Sequence, residues 1–135
     1  MPAKKLSVAL TTVDWNANVK AFLHDRDPVE RIAKANLRLA IWAKQLESID
    51  KGNPSLCFVR EMEIAGHHVA ALIALALYQS AAGSMRTILE SALYYTYFRS
   101  HHSELATLVR DAEFFVSKEE LLDYHKTHTP DFSEL

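Results

Sequence analysis

One stretch limits the possible folds more than any other. From Ile64 to Met85 the chain carries no Asp, Glu, Lys or Arg. Around it Phe58, Met62, Ala65, Val69, Leu72, Ala76 and Gln79 recur at alternating spacings of three and four, the signature of one helical face. Ala70, Ala71, Ala74, Ala81 and Ala82 fill much of the remainder. Alanine favours helix and lets neighbouring backbones come close. A helix apolar on most faces belongs at the centre of a protein, with neighbours on several sides. The reading places it from Ser55 to about Ser80. Its continuous apolar part, Val69 to Tyr78, is far shorter than the roughly 20 residues that span a bilayer. A helix buried in protein is expected, with no membrane.

The flanking segments carry start and stop signals. Asp27-Pro28-Val29-Glu30 reads as a cap, a first-turn proline and a capping-box glutamate. Beyond it Ile32, Leu39 and Leu46 interleave with Ala35, Trp42 and Ile49 into one apolar stripe. Lys51-Gly52-Asn53-Pro54 ends that helix. Gly83-Ser84 marks the next expected break. The segment after it, from Met85 to Phe98, keeps helical spacing despite the strand propensity of its tyrosines. Ser103 is an expected cap for a short helix over Glu104 to Phe115. Ser117-Lys118-Glu119-Glu120 is a second capping box, opening a helix to about Lys126. The tail from Thr127 reads as loop. Gly66, inside the central helix, points to close packing or a bend.

The expected fold is therefore all-α, an antiparallel bundle of four to five helices. Residues 1–135 read as a single domain, with 1–26 loosely held and carrying no assigned helix. The chain has only three glycines and four prolines, which fits long elements and short turns.

Charge and cysteine content exclude some functions. Fifteen Lys and Arg face seventeen Asp and Glu, a net charge of -2, so a dominant nucleic-acid surface is not expected. Residues 101–135 are net negative by five and residues 1–100 net positive by three. That asymmetry gives an acidic solvated face, or a surface complementary to a basic partner. The single Cys57 makes no internal disulfide. Lys4 and Lys5 precede only a short apolar run, too brief for a secretory core, so a cytoplasmic location is expected.

Few residues suggest chemistry. Glu63 and His67, four apart, are the weak metal candidates, but the Glu-x-x-His motifs of helical di-metal sites are absent. His67 with His68, and the group His101, His102, His125 and His128, read as packed or surface histidines. His125 and His128 have a spacing that can chelate, but no cysteine lies near. No cofactor is expected. Cys57 lacks a base in register. Arg86 and Glu90, four apart, can pair on a helix face. With Tyr95 and Arg99 they form the candidate polar site, and Arg60 is a further cation that the fold could bring near.

The segment Ser84-Met85-Arg86-Thr87-Ile88-Leu89-Glu90-Ser91-Ala92-Leu93-Tyr94-Tyr95 resembles a loose group of bacterial all-helical proteins. That group carries Arg-x-x-x-Glu and then aromatic residues after a long alanine-rich helix. It is distantly similar to the helical nucleotide-binding and ribonuclease (HEPN-type) superfamily of toxin and phage-defence systems. The resemblance covers roughly residues 55–115. It implies a polar centre at Arg86 and Glu90 and, because members of that group are often longer, a shortened domain or one completed by a partner. The ribonuclease branch has a histidine five residues after its arginine. Here Ser91 stands five after Arg86, Ala65 five after Arg60, and His101 and His102 follow Arg99 too closely.

Two functions follow as expectations. The first is a helical assembly or regulatory module acting through protein contacts, as a homo-oligomer or with a helical protein partner. The alternative is a small-ligand-binding or RNA-processing enzyme built around Arg86 and Glu90.

Overall fold

A computed structural model of the chain describes residues 1–134. It is all-α, with seven α-helices and one short 3-10 turn among the described residues. These are α1 (Pro2–Thr12), α2 (Trp15–His24), α3 (Arg26–Ile49), α4 (Leu56–Ala74), α5 (Tyr78–Phe98), α6 (His102–Arg110) and α7 (Lys118–His128). Helices α3 to α7 are the five the sequence predicts. Helices α1 and α2 are additional and lie where no helix was assigned.

The antiparallel array α3–α4–α5 forms the body, with α4 in the middle. Ala43 of α3, Leu56, Val59 and Met62 of α4 and Tyr95 of α5 form its buried centre. A second cluster joins Phe98 to Leu105, Val116 and Leu121, so α6, the following loop and α7 pack over the C-terminal end of α5. Phe98 connects the two regions. It is wholly buried, stacks on Phe58 at 5.7 Å and meets Tyr97 edge-on at 5.2 Å. Such aromatic contacts add about 0.5–1.5 kcal/mol each beyond area burial.

Gly66 packs against α3. A side chain there would stand 2.9 Å from Asn36 Oδ1 and 3.1 Å from Leu39 Cδ2. The open backbone lets the Asn36 amide donate to the Gly66 carbonyl at 3.2 Å. The glycine therefore serves close helix approach. At the bundle ends, Asn18 of α2 donates to the Leu75 carbonyl at 3.3 Å and Asn53 donates to the Arg99 carbonyl at 3.0 Å. Each satisfies a helix-terminal acceptor that would otherwise be orphaned.

The structure corrects four details of the sequence reading. The break between the second and third long helices is at Leu75–Leu77, not at Gly83. There Ala76 takes a left-handed φ of 61°. Its N–H bonds the Ile73 carbonyl at 2.9 Å, and the Leu77 N–H bonds the Leu72 carbonyl at 2.8 Å. These two bonds make a Schellman cap with alanine where glycine is usual. Gly83 lies inside α5, and a side chain there would meet open space.

The second correction is at Asp27. Helix α2 runs to His24, so α3 begins at Arg26 with Asp25 as its cap, and no side chain closes a capping box. Pro28 remains in the first turn, where no intrahelical N–H bond is lost. The third is at Ser103, which lies within α6 rather than capping it. That helix stops at Arg110, and Asp111 turns the chain by accepting from the Glu113 N–H at 2.9 Å. By contrast the Ser117–Glu120 capping box is present, with both reciprocal bonds.

The fourth correction concerns the stripe on α3. Leu39, Ala43 and Leu46 pack in the core with α4, and Ile32 is half-buried. Trp42 and Ile49 do not, and are 63% and 68% exposed. The core seam follows the helix through Ala43, which leaves the Ala35–Trp42–Ile49 line on the flank. No helix of the described residues is long and apolar enough to cross a membrane.

Candidate functional site

The four sequence-predicted site residues lie on α5 or, for Arg99, at its C-terminal cap, and divide between two places. Arg86 and Glu90 face α7. Tyr95 and Arg99 face the junction of α3 and α4.

Arg86 Nε donates to Glu90 Oε1 at 2.7 Å. One helical turn separates the two residues, so the pair forms within α5 without tertiary help. Both side chains are substantially exposed, which limits the pair's worth to a fraction of a kcal/mol, about 0.3–0.5. Their surroundings are more informative. The pair borders a cavity of about 250 Å³ between α5 and α7. Leu89, Leu93, Tyr94, Leu121 and Leu122 supply its apolar walls, and Lys118 stands at the rim beside Arg86 and Glu90. The capping box fixes where α7 begins, and so where Lys118 sits.

The second place is a charge and hydrogen-bond cluster centred on Asp50, the residue that ends α3. The Tyr95 hydroxyl donates to Asp50 Oδ2. Arg99 approaches the same carboxylate with both arms, Nε at 2.6 Å from Oδ2 and Nη2 at 2.9 Å from Oδ1. Two-pronged Arg–carboxylate contacts are among the stronger ion pairs. The Tyr95 hydrogen bond, followed by the Arg99 charge, holds the Asp50 carboxyl below its usual range. Burial first, then the Asp50 hydrogen bond, pushes Tyr95 up to about 12. Both Tyr95 and Arg99 aim donors at Asp50. The cluster locks the C-terminal end of α3 to α5. Sequence reasoning missed Asp50. The available signal was that Tyr95 and Arg99, four apart, share a helical face that calls for an acidic partner.

Arg60 does not join either group and pairs with Glu47 at 3.5 Å. Cys57 is exposed, and desolvation raises its thiol above the ordinary value.

The four C-terminal histidines are individually engaged. His101 Nδ1 meets the Tyr97 carbonyl at 2.7 Å, and His102 Nε2 meets the Arg99 carbonyl at 2.9 Å. His125 is buried. With the proton on Nε2, its ring donates to the Leu93 carbonyl at 3.3 Å and accepts from the Thr129 hydroxyl at 3.0 Å. His128 instead stacks on Tyr124 at 4.4 Å. The two chelation-spaced residues lie against different sides of Tyr124, His125 edge-on at 5.4 Å and His128 stacked. Tyr97, stacked on His101 at 4.2 Å, donates to Glu104 at 2.7 Å. Burial and then that hydrogen bond push its phenol to about 12. Glu63 and His67 border α3 near Asn36, Leu39 and Ala40. Among the described residues no three His, Cys, Asp or Glu side chains converge in a way that could hold a metal ion.

No family model, curated protein or solved structure matches this chain.

Proposed function

We propose that the chain is a helical assembly module that works by self-association through the flank shared by α3 and α5. The observation that carries this reading is surface area. A compact monomer of this mass exposes about 7,100 Å². This chain exposes 10115 Å². The excess of about 3,000 Å² is well above the roughly 800 Å² that each partner buries in an ordinary stable interface.

Part of that excess is apolar and grouped. Between α3 and α5, with α4 as its floor, runs a trough of about 440 Å³ lined by Ile32, Ala35, Val69, Ile73, Met85 and Ile88. Trp42 and Ile49 continue the Ala35 line along α3 at seven-residue intervals. Trp42 and the trough residue Met85 are 63% and 54% exposed. Large side chains left uncovered along one trough are what an interface needs at its centre. The α3–α5 array is a bundle layer with one side open.

Light scattering on the purified chain over a wide concentration range tests this. The expected mass is twice that of one chain. Trp42→Asp should shift it toward a single chain while far-UV helicity is kept. A single-chain mass at every concentration would overturn the reading.

One observation favours a second reading, a small-ligand site at the cavity between α5 and α7. Its apolar walls and the charged rim of Arg86, Glu90 and Lys118 suit a small amphipathic anion. No histidine lines that cavity, and its one carboxylate, Glu90, is paired with Arg86, so an RNA-processing form of this reading has less support than simple ligand binding. Saturation-transfer NMR with phenylacetate and octanoate, on the chain and on Lys118→Ala, tests it.

A further inference from the structure

Helix α1 is amphipathic and has nothing to pack on. None of its residues is buried, and it packs against no other helix. It is tied to α2 through the Trp15 indole N–H, which donates to the Leu10 carbonyl at 3.1 Å. Ala3, Leu6, Leu10 and the capping residue Val13 follow one another at spacings of three, four and three, which puts them on a single stripe. Lys4, Lys5, Ser7, Thr11 and Thr12 lie off it, together with one apolar residue, Val8. An isolated helix of this length is marginal in water and draws its stability from a covered apolar face.

The same chain holds the complementary vacancy. The trough between α3 and α5 lacks a covering helix. Along α3 it extends from Pro28 to Asn36, about 13 Å at the helical rise, and α1 is about 16 Å long. An uncovered helix stripe and an uncovered three-helix trough of matching length occur in one molecule. Resting on the assembly reading above, we propose that α1 is an exchanged arm: in the dimer, α1 of each chain lies in the α3–α5 trough of the other. A second copy fits better than an unrelated partner because the occupant and the site are then present in equal number by construction, and a two-fold axis closes the assembly.

Two experiments test the exchange. In the first, the full chain carries Leu6→Glu with Leu10→Glu. These side chains are exposed in the single chain, so helicity and the melting of the α3–α5 body should stay as they are. The dimer dissociation constant should rise at least roughly 100-fold. A dimer of unchanged affinity would overturn the arm and leave the assembly reading standing. A wild-type chain that is monomeric throughout would overturn both.

The second experiment uses Cys57→Ser chains in two populations. One carries Leu10→Cys, and the other carries Met85→Cys and a size tag. After mixing and equilibration, mild oxidation should give a disulfide-linked species of mixed size. No mixed species, together with a disulfide formed within a single chain bearing both cysteines, would overturn exchange and place α1 in its own trough.

Discussion

The Tyr95 hydroxyl donates to the carboxylate of Asp50, a residue 45 positions earlier in the chain. The pair joins α5 to the last residue of α3, and Arg99 closes the same contact from one turn further along α5. Removing the hydroxyl alone leaves Asp50 paired with Arg99. Tyr95→Phe should therefore cost about 1–2 kcal/mol, as a lost hydrogen bond to a charged group does. Asp50→Ala strands both partners and should cost more, about 2–3 kcal/mol. Urea denaturation of each variant followed by far-UV circular dichroism checks the order. An Asp50→Ala chain as stable as Tyr95→Phe would contradict the shared role.

The same contact sets a pH dependence with two edges. Folding lowers the Asp50 carboxyl, so its contribution is present above the unfolded value of about 3.9 and is lost as pH falls through the lower folded value. Folding raises Tyr95 to about 12. Its contribution is complete below the unfolded value of about 10 and disappears as pH rises through 12. Thermal melts from pH 3 to 11 should show a broad stability plateau with a fall at each end. In Tyr95→Phe the alkaline fall should shrink, though Tyr97, raised for a similar reason through Glu104, keeps part of it.

The chain carries glycine and alanine in exchanged places. Ala76 holds the left-handed position of a Schellman cap, and Gly83 sits in a helix interior with free space around it. Ala76→Gly should stabilise by about 0.5–1 kcal/mol, because relief of the left-handed strain exceeds the added freedom of the unfolded chain. Gly83→Ala should stabilise by about 0.5–1 kcal/mol through helix propensity alone. The two sites share no partner, so the double variant should gain close to the sum. Chemical denaturation midpoints measure all three, and a loss at either position would contradict the assigned geometry.

Ser117 tests the cap of α7. Its side chain accepts from the Glu120 N–H at 3.2 Å, and the Glu120 carboxylate accepts from the Ser117 N–H at 2.8 Å. Ser117→Ala should cost about 1 kcal/mol. At this chain length that lowers the melting temperature by roughly 3–5 °C. Because α7 forms one wall of the cavity, amide exchange should quicken in Lys118 to Leu122 before it does in α4.

Signals confined to one helix were readable from sequence. The α4 stripe from Phe58 to Leu72, the Ser117 box and the stop around Gly52 involve only neighbours in the chain and are present, while the stripe's last expected members, Ala76 and Gln79, fall beyond the end of α4. Gly52 indeed takes a φ of 84°. The Leu75–Leu77 break was not readable, because the cap uses an alanine and its bonds run to main-chain carbonyls that any residue supplies. Helices α1 and α2 lack both a glycine stop and an apolar run long enough to stand out. The placement of Trp42 depended on which side of a wide stripe α4 would occupy, and only packing decides that. The candidate site failed as a single unit for a related reason. Arg86 and Glu90 sit four residues apart, as do Tyr95 and Arg99, so each pair was visible. Their separation onto different sides of α5 depends on partners from α7 and α3.

The buried His125 ring anchors α7 to the main-chain carbonyl of residue 93, not to its side chain. The Leu93 side chain is meanwhile part of the cavity wall. One position therefore carries two separable roles. The wall can be remodelled at residue 93 by any helix-compatible side chain while the anchor is conserved, so the shape of this cavity is free to diverge without altering how the last helix docks.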